Sequence, residues 1–256
     1  MKQLQGLRIL NTRPQQQAAV LTQLIEDEAG IVVSCPTIEI QATQNNWVST
    51  LPDLNTVSHA IFISANAVNY SLEKLRLNHH WPGSINIIAI GEGTAKALNQ
   101  FNVNAHDIPS FPDSEHLLKL TSLRYLKNQT VLLFKGCGGR NLIEKDLIIK
   151  GAQVLTLDVY RRVMPKINKG FLNSIWRDDM VDIILLTSEQ SIRNLFKMFP
   201  EQALTWLQNK PCLVISKRLA EIASKFGIKK IITSHPNRMM NTLFDYNQGL
   251  IHGQQL

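Results

Sequence analysis

Short continuous runs of Val, Ile and Leu recur along this chain with amphipathic stretches between them: LRIL at 7–10, HAIFIS at 59–64, NIIAI at 86–90, TVLLF at 130–134, DIILLT at 182–187, CLVIS at 212–216 and KKIITS at 229–234. A strand that is apolar at every position, rather than at every second one, has to bury both faces, which is the state of parallel strands covered by helices on each side. The expected class is α/β with doubly wound parallel sheets. The stretches between runs carry helix punctuation. From Pro14 to Glu28, Ala18, Leu21, Leu24 and Ile25 share one face, Pro14 sits where a first-turn proline is tolerated, and Gly30 falls just past the end.

Internal repetition sets the domain count. The segment from Leu7 to Gln41 can be laid on the segment from Thr130 to Val163, each reading as strand, turn, helix, Gly, strand and a polar-alternating extension. Ser64 of FISANAV falls on Ser188 of LLTSEQSI at nearly the same offset at which Gly91 of AIGEGTAKAL falls on Ser216 of VISKRLAEIA. Two similar α/β units follow, which suits 256 residues at about 150 per domain. Each half carries an extra extended segment, CPTIEIQ at 35–41 and LDVYRRV at 157–163; in the first, Ile38 and Ile40 alternate with Thr37, Glu39 and Gln41, the pattern of a strand exposed on one face. These segments fit either edge strands of tandem domains meeting near residue 128 or a two-stranded bridge between domains.

Composition narrows the chemistry. Apolar residues make up 44% of the chain, and three widely spaced cysteines, Cys35, Cys137 and Cys212, support neither a disulfide framework nor a zinc-binding pair, which fits a reducing cytoplasm. No run reaches signal-peptide or membrane-spanning length. A net charge of +7 favours an anionic partner, but without Lys/Arg blocks or zinc-finger spacing nucleic acid is not expected. The neighbouring pair His79-His80 belongs to no HExxH or Cys/His cluster, so no metal is expected; no P-loop or GxSxG elbow occurs, and GCGGR at 136–140 lacks the GxGxxG spacing.

Small, hydroxylated or basic residues do recur where the strand-like runs end. They are Thr12 and Arg13, Ser64 and Asn66, Gly91 and Thr94, the stretch with Lys135, Gly136 and Arg140, Thr187 and Ser188, Ser216, Lys217 and Arg218, and Ser234. In open α/β sheets ligands bind at this edge, because strand-to-helix loops offer backbone N–H groups and helix N-termini to anions. Two such edges facing each other would make an anion-binding cleft. Each hydroxyl singly also reads as a helix cap.

TRP at 12–14, FISANAV at 62–68, AIGEGTAKAL at 89–98, PDSEHLL at 112–118, LLFKGCGGRNLI at 132–143, VYRR at 159–162 and LLTSEQSIRNL at 185–195 together resemble the bacterial uroporphyrinogen-III synthase family over essentially the whole chain. The resemblance implies two flavodoxin-like domains joined by a two-stranded ladder: domain one at 1–35 plus 165–256, domain two at 42–156, and a ladder of 36–41 and 157–164. It implies cyclisation of hydroxymethylbilane, a polyanionic linear tetrapyrrole, to uroporphyrinogen III with loss of water and inversion of the last ring. No cofactor is implied, and a monomer is the default. Loss of the terminal hydroxyl leaves an azafulvene stabilised by the pyrrole nitrogen, so the protein chiefly controls geometry, a contribution of up to roughly 7–11 kcal/mol.

By the same resemblance Tyr160, in VYRR, is the first catalytic candidate, as proton donor to the departing hydroxyl; a packing role for an amphipathic Tyr stands beside it. Thr94 is second, binding a substrate carboxylate, with helix capping as the other reading. Arg13, Lys135, Arg140, Lys217 and Arg218 are candidate carboxylate partners, and Ser64, Asn66, Gly91, Gly136, Thr187, Ser188 and Ser216 complete the expected substrate-binding set. A different class also fits: a non-catalytic hinged two-domain protein that closes on an anionic small molecule.

Overall fold

The computed structural model describes residues 2–75, 81–139 and 141–249, with the backbone of 254–255; Arg140 and the His79-His80 pair lie outside the described residues. Two compact units form, Met1–Glu39 with Val163–Leu256 and Ile40–Arg162. The first unit opens with β1 (Arg8–Asn11), α1 (Gln15–Asp27) and β2 (Ile31–Ser34). Through β3 (Glu39–Ala42) the chain enters the second, forming β4 (Val57–Phe62), α2 (Ala65–Leu75), β5 (Asn86–Ala89), α3 (Glu92–Asn99), α4 (Ser114–Leu117), β6 (Thr130–Gly136), α5 (Leu142–Ile149) and β7 (Gln153–Val163). It returns to the first with α6 (Lys169–Arg177), β8 (Ile183–Leu186), α7 (Glu189–Met198), α8 (Leu204–Asn209), β9 (Cys212–Val214), α9 (Lys217–Lys225), β10 (Lys230–Thr233), α10 (Met239–Asn247) and β11 (Gln254–Gln255).

The first sheet runs β11-β10-β9-β8-β1-β2 and the second β3-β7-β6-β4-β5. Within them β10 through β2 and β7 through β5 pair in parallel, and β11 is antiparallel to β10. Setting each repeated segment on its counterpart lays β9-β8-β1-β2 on β5-β4-β6-β7, strand for strand, although the chain visits them in a different order in each unit. β3 borders β7, with the Thr43 N–H donating to the Val159 carbonyl at 3.2 Å.

Unbroken apolar runs become strands buried on both faces. In β8, Ile184 and Leu186 join one core layer and Ile183 and Leu185 the other; in β6, Leu132 and Phe134 join one and Val131 and Leu133 the other. Each such side chain, removed from water, contributes about 1.5–3 kcal/mol. Phe62 stacks on Phe134, centroids 4.6 Å apart, at the carboxyl end of the adjacent strands β4 and β6.

Three local expectations change. Leu24 of α1 is 45% exposed, because it lies on the flank of the stripe that buries Ala18, Leu21 and Ile25. The left-handed residue ending α1 is Ala29 (φ 59°), while Gly30 is required by close packing: a Cβ there would come within 2.6 Å of Ile25 Cγ2. Thr37 is fully buried and β3 begins only at Glu39, so the exposed-face alternation expected from residue 37 fails. Its hydroxyl is used inside the first unit, as described next.

Candidate active site

Each sheet has a point where successive connections leave in opposite directions, between β1 and β8 in the first unit and between β4 and β6 in the second. Crevices at the carboxyl ends of strands flanking such a point are where open α/β sheets take ligands.

In the second unit, β4 leads through Ile63 and Ser64 into α2. Ser64 Oγ accepts the Ala67 N–H at 3.0 Å, capping the helix, and lies 3.2 Å from Tyr160 Oη. What brings Tyr160 there is a register shift in the β6–β7 pairing: Lys135 faces Asp158, but Gly136 faces Tyr160, with Val159 as the extra residue. Such a bulge re-aims the side chains that follow it. Without it Tyr160 would share the face of Asp158; with it the ring lies on Gly136, where a Cβ would fall 2.5–2.9 Å from Cζ, Cε2 and Cε1. Tyr70 stacks on the ring at 6.1 Å, and its own hydroxyl donates to the Ile40 carbonyl. Tyr160 is left 4% exposed.

Beside this pair, a cavity of about 650 Å3 is walled by Ala65, Ile90, the first turn of α3 and the 108–112 loop. Gly91 precedes α3 and offers no side chain to cap it; it is glycine because Pro112 Cβ would lie 2.7 Å from any Cβ there. Thr94 lines the cavity and is 4% exposed, and its hydroxyl has no protein partner among the described residues. Exposed Glu92 shares the wall. An uncapped helix start with a free hydroxyl is suited to a carboxylate.

The other candidates of this unit are placed differently. Lys135 is 6% exposed and sits across the ladder from Asp158, whose carboxyl is pushed up by burial, with Lys135 pulling it back. Asn66 occupies the first turn of α2, half-buried.

In the first unit, Thr12 Oγ1 donates to the Leu185 carbonyl (2.5 Å), tying the end of β1 to β8. Ser191 Oγ lies between Thr12 Oγ1 and Thr37 Oγ1, at 2.8 and 2.7 Å, and Asn194 Nδ2 donates to the Thr37 carbonyl at 2.8 Å. Ser191 and Asn194 escaped the sequence reading and Thr37 was placed on an exposed strand face, since nothing local distinguishes a buried hydroxyl network from surface threonines and serines. Ser188 and Ser216 cap α7 and α9 through the Ser191 and Leu219 N–H groups. Thr187 is half-buried, Lys217 exposed, and Arg218 lies 3.8 Å from Glu189, which also holds Arg193 at 2.8 Å. Arg13 is half-buried, its pKa lowered by desolvation, with Nε unpartnered; it lines a cavity of about 470 Å3 with Gln16, Gln17 and Met239. Among the described residues no His, Cys, Asp and Glu group could hold a metal, and no helix is long and apolar enough to cross a membrane.

A family model described as uroporphyrinogen-III synthase HemD matches residues 19–242. The curated uroporphyrinogen-III synthase of Salmonella typhimurium is 30% identical over 234 residues, covering 88% of this chain and 94% of the relative; that of Proteus mirabilis is 34% identical over 161 residues, 61% and 81%. Among solved structures, uroporphyrinogen-III synthetase from Helicobacter pylori (TM-score 0.62, 16% identity) covers 96% of this chain and 100% of its own. A mutant uroporphyrinogen III synthase from Thermus thermophilus (TM-score 0.61, 17% identity) covers 96% and 99%. At such identities the structures establish the fold alone.

Proposed function

The chain belongs to the uroporphyrinogen-III synthase family, and we propose that the carboxyl-end edge of its second unit carries that family's chemistry. The reaction cyclises hydroxymethylbilane to uroporphyrinogen III, losing water and inverting ring D. The observation that carries the assignment of the edge is Thr94: a residue 4% exposed whose hydroxyl has no protein partner among the described residues, at an uncapped helix start on the wall of a cavity. That combination fits an acetate or propionate arm of the substrate. Gly91 brings the wall close to Pro112, and the net charge of +7 favours so anionic a substrate.

In this reading the proton for the departing hydroxyl originates on the Tyr160 phenol, held against Gly136 and hydrogen-bonded to Ser64. A phenol O–H is able to act as a general acid. The azafulvene then forms on the substrate's own pyrrole nitrogen, which makes a cofactor unnecessary. The protein is proposed to work as a monomer in the cytoplasm, a setting that suits three free cysteines.

Incubation with freshly prepared hydroxymethylbilane, followed by oxidation and separation of type I and type III isomers, tests this reading. Type III product is expected. Type I alone, at the rate of the blank, would reduce the protein to a binder of anions and overturn it.

A further inference from the structure

Tyr160 presents a difficulty for direct proton donation, since its ring is closed in by Gly136 and Tyr70 and only 4% of the residue is exposed. Among the described residues its hydroxyl has one partner, Ser64 Oγ at 3.2 Å. Either hydroxyl can be the donor at this distance, and in one of the two arrangements the phenol donates to Ser64. Ser64 Oγ also accepts the Ala67 N–H at 3.0 Å. A hydroxyl oxygen has two lone pairs and one proton, so in that arrangement both acceptor sites are filled and Ser64 is left as a donor. Ser64 is half-buried, the more open end of the pair, and it precedes Ala65, which lines the cavity holding Thr94.

We infer that Ser64 is the group that meets the substrate's hydroxymethyl oxygen, and that Tyr160 acts through it as the source of the proton. The inference rests on the reading of Tyr160 given above. As the C–O bond breaks, its electron pair goes to oxygen, which takes the Ser64 proton and leaves as water. The pyrrole nitrogen's lone pair fills the vacancy at carbon. Ser64 takes the Tyr160 proton, leaving a phenolate beside the N-terminus of α2, where the helix dipole favours negative charge. The proton released when ring closure restores the last pyrrole returns by the same route, so the enzyme ends unchanged. Ser64 is then a catalytic residue, and Tyr160 and Gly136 are positioning residues behind it.

The test is a set of four variants, each assayed for type III kcat and KM and for thermal unfolding. Ser64→Asn keeps a side chain that caps helices well but cannot pass a proton, whereas Ser64→Thr keeps the hydroxyl. Tyr160→Phe and Ser64→Asn should each lower kcat by about 10²-fold, the low end of general acid catalysis, with KM little changed. The double variant should be no slower than either single one, and Ser64→Thr should recover most of the rate. If Ser64→Asn stays near wild type while Tyr160→Phe is slow, the phenol meets the substrate itself and the relay is wrong. If the two losses multiply, the residues act independently, which also overturns it. Wild-type turnover in Tyr160→Phe would remove the assignment of Tyr160 and the relay together.

Discussion

Gly136→Ala is the change whose consequence can be worked most directly from the structure. Its new Cβ would lie 2.5 Å from Tyr160 Cζ and 2.7 and 2.9 Å from the adjoining ring carbons, whereas carbon atoms pack comfortably at about 3.5–4.0 Å. The ring has to retreat by about 1 Å in a site where 4% of the residue is exposed and Tyr70 is already stacked on it. The bond to Ser64 is 3.2 Å at the outset and does not survive such a shift. Overpacking of this kind costs about 1–3 kcal/mol, and each kcal/mol lowers Tm by roughly 2–4 °C in a domain of this size. A 1 Å misplacement behind the reacting atoms can cost about 10²-fold in rate. Circular-dichroism melting together with the type III assay should therefore register both losses. Gly83→Ala, whose Cβ would meet nothing within 4 Å, should register neither. In a Tyr160→Phe background the alanine should still lower Tm, because the clash is with ring carbons, but add little to the loss of rate. If Gly136→Ala melts within about 1 °C of wild type, a shift smaller than 1 kcal/mol would produce, and turns over normally, the ring is not seated on Gly136 as described.

Thr94→Val removes the unpartnered hydroxyl while keeping a β-branched side chain, and should raise KM about tenfold or more with kcat and Tm little changed, since a hydrogen bond to a carboxylate contributes about 1.5–3 kcal/mol; an unchanged KM would exclude Thr94 from binding. Thr37→Val removes one of two partners from both Ser191 and the Thr12 carbonyl in a buried site and should lower stability by about 1 kcal/mol in urea unfolding, without altering the ratio of isomers produced. His59 is buried, and desolvation holds its pKa below the ordinary value of about 6.5 despite the Ser122 backbone and Asp107, which act the other way. Its stabilising contribution is whole above pH 6.5 and declines as pH falls, because there the unfolded chain takes up a proton that the folded one resists. Tm of the wild type should drop more between pH 7 and pH 5 than Tm of His59→Leu, and parallel curves would show that His59 does not drive the acid sensitivity.

The strands were legible because their signal is local and redundant. IILL in β8 has no polar position to spare for solvent, so two covered faces follow from the residues themselves, and the repeat between the halves survives as matching strand orders in the two sheets. Position along the chain also put the described hydroxylated and basic residues at or just past the carboxyl ends of strands. Composition could not separate their roles. Ser188 and Ser216 are caps, Lys135 lies beneath the surface against Asp158, and Arg13 is the half-buried charge with an open Nε; those distinctions depend on which neighbours the sheet brings alongside.

Tyr160 illustrates the division most sharply. Its place at the end of a strand follows from sequence, as does the presence of a glycine in the turn after TVLLF. That the two meet depends on one extra residue at Val159, a shift in register between strands 20 residues or more apart that no periodicity along either strand records. Apolar pattern is a property of neighbours in the chain, and it determined the sheets. The site is made of neighbours in space, Gly136 under Tyr160 and Tyr160 against Ser64, and only the pairing of β6 with β7 and β4 decided which residues those would be.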